Sequence, residues 1–311
     1  MIIKRKQISF FMLFLYLVAN FAHKRLTSFD TLFVRATFIL LISSVFMLHK
    51  KIKFTHGLKW VFAFWGLYFV SIMWGHNILD SFKYINDAIQ IIGLMICIPM
   101  LIEDKEDIEL LLKYIIVAMI YASVLLIIRT PATSWGTERV GAVIGIHPNV
   151  LGRQAAFSAA ICLYFIHNDG TLFGIKNQRL KIMICILMII VFGIIGMMTG
   201  SKLSLFMILF CVFFYEIAIT KDRKLVFKAL FLMLLLVAVV YVLFNNEMIY
   251  SILGKRVERL IWSLQGRTVA GVIDVSFNER KFFINEAKRL FFQYPILGYG
   301  ANNFMSFMRE E

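Results

Sequence analysis

IMICILMIIVFGIIGMM, residues 182–198, decides what kind of fold this chain adopts. The stretch carries no charge, and its only heteroatoms outside the backbone are sulfurs. A strand buried on both faces seldom runs past about eight residues, and an amphipathic helix would show a polar stripe every third or fourth position. Neither pattern is present. As a helix, the stretch would cover about 25 Å of a hydrocarbon core roughly 30 Å thick. Inside lipid each backbone amide must be satisfied within its own segment, so an unbroken apolar run of this kind is read as a membrane-crossing helix. Lys181 on one side and Thr199-Gly200-Ser201-Lys202 on the other mark where the chain meets water.

Working outward, eight more stretches read the same way: Ile8–Phe21, Thr31–Leu48, Leu58–Trp74, Tyr84–Ile102, Ile108–Ile128, Pro148–His167, Leu203–Ile219 and Ala229–Phe244. With 60% hydrophobic residues and 17% charged ones, a soluble chain of this length could not cover itself with polar surface. The expected fold is all-α: a polytopic helical membrane protein of about nine spans over residues 1–244, with an extracytoplasmic helical loop region over 245–311. Lys4, Arg5 and Lys6 precede the first stretch as in a signal peptide, but no small-residue cleavage site follows, so it is read as a retained helix.

Loop charges set the orientation. With the N-terminus cytoplasmic, the inner segments hold fourteen Lys and Arg, among them Lys50, Lys51, Lys53, Lys176, Arg179, Arg223 and Lys224. The short outer loops hold six: Lys24, Arg25, Lys83, Arg129, Arg139 and Lys202. The net charge of +14 therefore orients the chain and touches anionic headgroups, and a nucleic-acid partner is not expected. Cys97, Cys162, Cys185 and Cys211 fall inside apolar stretches without metal-ligand spacing, as small buried hydrophobes. No internal repeat is evident.

Polar groups at membrane depth are costly and therefore candidates for function. Arg35 lies near the outer end of the second stretch, where its long stem can snorkel to headgroups. Asn86, Asp87 and Gln90 share the outer part of the fourth, where interhelical hydrogen bonding accounts for them as well as a site does. The loop Arg129–His147 leads outward into Pro148-Asn149-Val150-Leu151-Gly152-Arg153. A helix start that gathers amides, an Asn side chain and a guanidinium suits an anion; a charged interfacial collar is the alternative. Thr199-Gly200-Ser201-Lys202 forms a second outward turn able to present backbone N–H groups with a cation, as phosphate requires. In the tail, a helix is expected from an N-cap at Asn278 to about Phe292, with Phe283, Ala287, Leu290 and Phe291 on one apolar face and Pro295 and Gly298 ending it. It would either lie on the outer membrane boundary or roof a cavity.

Three of these segments, in order, resemble the O-antigen ligase and O-antigen polymerase family of integral-membrane glycosyltransferases: ERVGAVIGIHPNVLGR (138–153), MTGSK (198–202) and RKFFINEAKRLFFQYPILGYGANNF (280–304). The resemblance implies an inverting, metal-independent transfer from an undecaprenyl-diphosphate-linked glycan donor to a glycan acceptor, with no cofactor. It also implies a place in the cytoplasmic membrane, beside a flippase and a chain-length regulator. It makes Arg139 and Arg280 the catalytic candidates that hold the diphosphate, with Asn149, Arg153, Ser201, Lys202 and Asn303 binding substrate. Arginine suits that task because its planar fork bonds phosphate oxygens in pairs. Two departures stand out. Lys202 takes the place of an arginine, and the family's His-containing continuation of the outer loop has no counterpart before Glu311, so the chain reads as the N-terminal part of such an enzyme. His147 lies in another motif, and His23, His49, His56, His76 and His167 read as solvated loop or span-end residues. A polymerase joining repeat units is the favoured reading. A ligase, a transporter or flippase, and an inactive remnant are the alternatives.

Overall fold

The computed structural model describes residues 2–23, 27–48, 55–75, 77–82, 85–131, 134, 140–141, 145–168, 170–201 and 275–310, with isolated positions between 206 and 258. Its elements are helices: α1 (Ile2–Ala22), α2 (Ser28–Leu48), α3 (His56–Ser71) continued by a 3-10 turn (Ile72–Trp74), α4 (Ile78–Phe82), α5 (Ile85–Leu101), α6 (Lys105–Arg129), α7 (Pro148–His167), α8 (Gln178–Met198), α9 (Val275–Gln293) and α10 (Phe304–Glu310). Among the described residues the one extended pairing is an isolated bridge between Leu172 and Ile175.

Six helical stretches are long and apolar enough to cross a bilayer: Ser28–Leu48, His56–Trp74, Ile78–Leu101, Lys105–Arg129, Pro148–His167 and Gln178–Met198. They are compatible with a multi-pass membrane protein. The apolar part of α1, Lys6–Ala22, is shorter. The expected spans Leu203–Ile219 and Ala229–Phe244 lie outside the described stretches, as does most of the chain on to 274.

Two compact units form, each from separate pieces of chain. The first comprises Met1–Ser9, Leu40–Asp104 and Arg267–Glu311. Within it, Lys6 pairs with Glu103 at 3.0 Å, and Thr55 caps α3 by accepting the Leu58 N–H at 3.3 Å. The tail is fastened to the end of α3: Trp74 Nε1 donates to the Leu297 carbonyl at 2.9 Å. Gly300, at φ +83°, brings its backbone against Gly75, and a Cβ there would stand 2.9 Å from the Ser71 carbonyl. Only glycine allows both that conformation and that approach.

The second unit comprises Phe10–Ile39 and Lys105–Gly266. Its core is the antiparallel pair α7 and α8, with α6 alongside. Gly152, Ala155, Ala156 and Ala159 are buried on α7, and such small residues let helix backbones approach where lipid removes any hydrophobic drive between helices. Leu151, Phe165, Phe192 and Ile195 fill the seam. Lys113 Nζ lies 5.8 Å from the Phe165 ring, so the beginning of α6 meets the end of α7. Phe14 packs on Tyr114 with centroids 5.1 Å apart, and Tyr16 on Phe38 at 5.6 Å, joining α1 to α6 and α2. Lys181, 1% exposed, donates to the carbonyls of Asn168 at 2.6 Å and Gly170 at 3.1 Å, closing the far end of the hairpin.

The tail helix departs from expectation in two ways. It starts at Val275, so Asn278 lies inside it instead of capping it; no Gly or Pro separates the two positions. Its inward side is Leu290 with Phe283 half-buried, whereas Ala287 and Phe291 are exposed. At about 100° per residue, adjacent positions such as Leu290 and Phe291 cannot both sit at the centre of one face.

Candidate functional site

The start of α7 and the end of α8 lie at one end of the hairpin, and Val140 meets the end of α8 there. Val140 N–H donates to the Met198 carbonyl at 3.3 Å, and Ile146 N–H to the Gly141 carbonyl at 3.1 Å. Gly141 has φ +126°, and a Cβ there would come within 2.9 Å of the Ile146 carbonyl and 3.3 Å of Pro148 Cα. Val140 and Met198, from two motifs well separated in sequence, are thus joined directly.

At the helix start, His147 is the N-cap: its Nδ1 accepts the Asn149 N–H at 3.2 Å. Its carbonyl accepts from Val150 at 2.8 Å and Leu151 at 3.1 Å. Pro148 occupies the first turn, where its missing N–H costs nothing. The first free amides of α7 are therefore largely engaged within the chain, and among the described residues Arg153, one turn in, is an exposed charge at this end. Asn149 is half-buried beside it.

The α8 turn is likewise closed on itself. Thr199 Oγ1 donates to the Gly196 carbonyl at 2.7 Å and accepts the Ser201 N–H at 3.2 Å, while the Gly200 N–H meets the Met197 carbonyl at 2.9 Å. Gly200 has φ +60°, and Ser201 is buried. The Gly200 and Ser201 amides, expected to face an anion, are turned to the fold instead. Arg139 and Lys202 lie outside the described residues.

The other two expected site residues belong to the first unit. Arg280 is exposed on α9. Asn303 is fully buried: its Nδ2 donates to Ser81 Oγ and to the Ala301 carbonyl, both at 2.8 Å, and its Oδ1 accepts the Asn77 N–H at 2.5 Å. Asn302 Nδ2 donates to the Asp80 carbonyl at 2.6 Å, and Ser306 Oγ donates to Asp80 Oδ2. The Gly-Tyr-Gly-Ala-Asn-Asn run is thus a clasp that pins the tail to α4 and the end of α3.

Compared with protein-family models, curated proteins and solved structures, the chain matches none.

Two clusters escaped the sequence reading. His23 is no solvated loop residue: it is half-buried, with Nδ1 2.8 Å from Asp30 Oδ1 and Nε2 3.1 Å from the Tyr121 hydroxyl. Asp30 Oδ2 accepts from Thr27 N–H at 3.0 Å and Thr27 Oγ1 at 2.9 Å, and Asp30 N–H returns to Thr27 Oγ1 at 3.1 Å. That reciprocal pair is a capping box at the start of α2, legible as Thr27-x-x-Asp30. The His partner carries no sequence signal, because Tyr121 is 98 residues away. In α7, Gln154 Oε1 and Ser158 Oγ, one turn apart, are buried without a hydrogen-bond partner among the described residues.

Proposed function

We propose that this chain is a cytoplasmic-membrane glycosyltransferase of the O-antigen polymerase type, joining undecaprenyl-diphosphate-linked oligosaccharide repeat units at the outer face during surface-polysaccharide synthesis. In the reaction an acceptor hydroxyl attacks the anomeric carbon of the donor sugar. The bond from that carbon to the diphosphate breaks with inversion, undecaprenyl diphosphate leaves with the bonding electrons, and the hydroxyl proton passes to solvent. Cations near the leaving phosphate lower the barrier, because negative charge develops there in the transition state.

The observation that supports this reading best is the Val140–Met198 link, which sets the two phosphate-motif candidates of the second unit side by side at one helix end with Arg153 exposed there. Arg153 is assigned to a donor phosphate. Arg139 and Lys202, flanking the linked segments in sequence, are assigned the same partner.

The test is chain extension by the full-length protein in lipid nanodiscs, supplied with a synthetic undecaprenyl-diphosphate tetrasaccharide and read on a gel. A ladder of longer glycans is expected. Arg139→Ala and Arg153→Ala should each lower the rate about 10–100-fold, the equivalent of one charge-assisted hydrogen bond, while lysine restores it in part. A donor recovered unextended from a folded wild-type protein, or full activity in both alanine variants, refutes the assignment.

A further inference from the structure

The exposed side of α9 presents an unusual mixture. Stepping about 100° per residue from Arg280, the outward positions Phe291, Ile284, Lys288, Lys281 and Phe292 follow within an arc of about 120°. All six are exposed, Phe291 by 60% and Phe292 by 79%. Neither carboxylate of this stretch joins them. Glu286 and Glu279 lie on the other side of the helix, and Glu286 holds Arg289 through Nε at 2.7 Å. Water disfavours such a surface, and burial against protein would strand three cations. Apolar side chains alternating with Lys and Arg suit one environment in particular, the boundary where acyl chains meet anionic headgroups.

A second, independent observation sets the depth. The turn that follows α9 continues the apolar surface with Ile296, 91% exposed, and Leu297, 63% exposed. That turn is bonded to Trp74, the last residue of the helical stretch His56–Trp74 that is long and apolar enough to cross a bilayer. Gly300 against Gly75 and Asn303 on Ser81 hold it there. Where that span leaves the hydrocarbon, α9 leaves with it, and tryptophan is characteristic of this level.

We propose that α9 and the turn Tyr294–Leu297 form a lipid-binding surface, with Phe291, Phe292 and Ile296 immersed among acyl chains and Arg280, Lys281 and Lys288 on the phosphates of anionic phospholipids. The assignment moves Arg280 from the donor diphosphate, where the resemblance put it, to phospholipid, and is otherwise independent of the proposed transferase activity. Of the two options for this helix, membrane boundary or roof over a cavity, it selects the first.

The test uses the full chain in nanodiscs, with the four native cysteines replaced by serine and single spin labels at Phe291→Cys, Phe292→Cys, Ile296→Cys and, as a reference, Gln293→Cys. Collision with oxygen should exceed collision with a water-soluble nickel chelate at the first three sites, and the order should reverse at 293. Adding phosphatidylglycerol to phosphatidylcholine should deepen the three sites, and Lys281→Gln with Lys288→Gln should abolish that deepening. Arg280 is left intact. A second readout needs no cysteine removal: the double Lys variant should co-purify with less phosphatidylglycerol per protein than wild type. Nickel-dominated collision at all sites overturns the proposal, as does protection from both reagents, the mark of a protein partner. A depth and lipid content indifferent to phosphatidylglycerol likewise overturn the anionic assignment.

Discussion

Asn303 shows how a single amide can hold two distant pieces of chain in one arrangement. Both of its polar atoms are engaged, and each partner is itself buried or half-buried. In Asn303→Ala the Asn77 N–H loses its acceptor, while Ser81 Oγ keeps its bond to the Ala301 carbonyl at 2.8 Å; one donor left unsatisfied costs about 1–3 kcal/mol. The variant should unfold several degrees below wild type in detergent, with the loss concentrated in the first unit. Proteolysis of the tail at lower protease concentration is the local check. An unchanged melting temperature and unchanged cleavage would mean the clasp contributes nothing. The resemblance marks Asn303 as a substrate contact; in the structure its side chain is buried and bonded to Asn77 and Ser81. Nothing in the local sequence foretells these two bonds, because Asn77 and Ser81 lie more than 220 residues away.

Among the elements, α7 was fully legible: Pro148 starts it, and the apolar run ends at His167 where the structure ends it. A proline in the first turn and an Asn-x-Gly exit are strong local punctuation. The short helix α4 was not legible, since Ile78–Phe82 lies between the apolar stretches Leu58–Trp74 and Tyr84–Ile102 and carries Asp80 and Ser81. The exposed arginine of the α7 end could be read from spacing, whereas the self-closed hydrogen bonding of the Thr199–Ser201 turn could not. The opposite end of the same hairpin depends on Lys181, whose ammonium group caps carbonyls just past the end of α7, where the helix dipole favours a cation. Lys181→Met keeps the stem but orphans those carbonyls. It should destabilise the protein by about 1–3 kcal/mol, measured by thermal unfolding, with Lys181→Arg retaining part of the stability. Equal stability of Met and Lys would show that water caps α7 instead.

For the whole molecule, six helical stretches suited to a bilayer make orientation the next measurable property. The excess of Lys and Arg in alternate loops predicts that the segment before α7 faces outward and the segment before α8 inward. Cysteine at Ser134 should therefore react with an impermeant maleimide in intact cells, and cysteine at the exposed Gln178 only after permeabilisation. The native Cys97, Cys162 and Cys185 are buried and should stay silent. Labelling in the reverse order would invert the orientation and remove the α7 start from the outer face.

The clasp around Asn303 also has a history in time. Its partners Asn77 and Ser81 leave the ribosome long before it does: the separation from Asn77 is 226 residues. At roughly 5–20 residues per second, that interval is on the order of 10–50 s. Throughout it, the exit of α3 and the whole of α4 lack the segment that satisfies them. The second unit's hairpin of α7 and α8, by contrast, closes within a stretch of chain made in a few seconds. The first unit can therefore close only after residues beyond 300 are made, and until then Gly75 and Ser81 lack the tail that covers them.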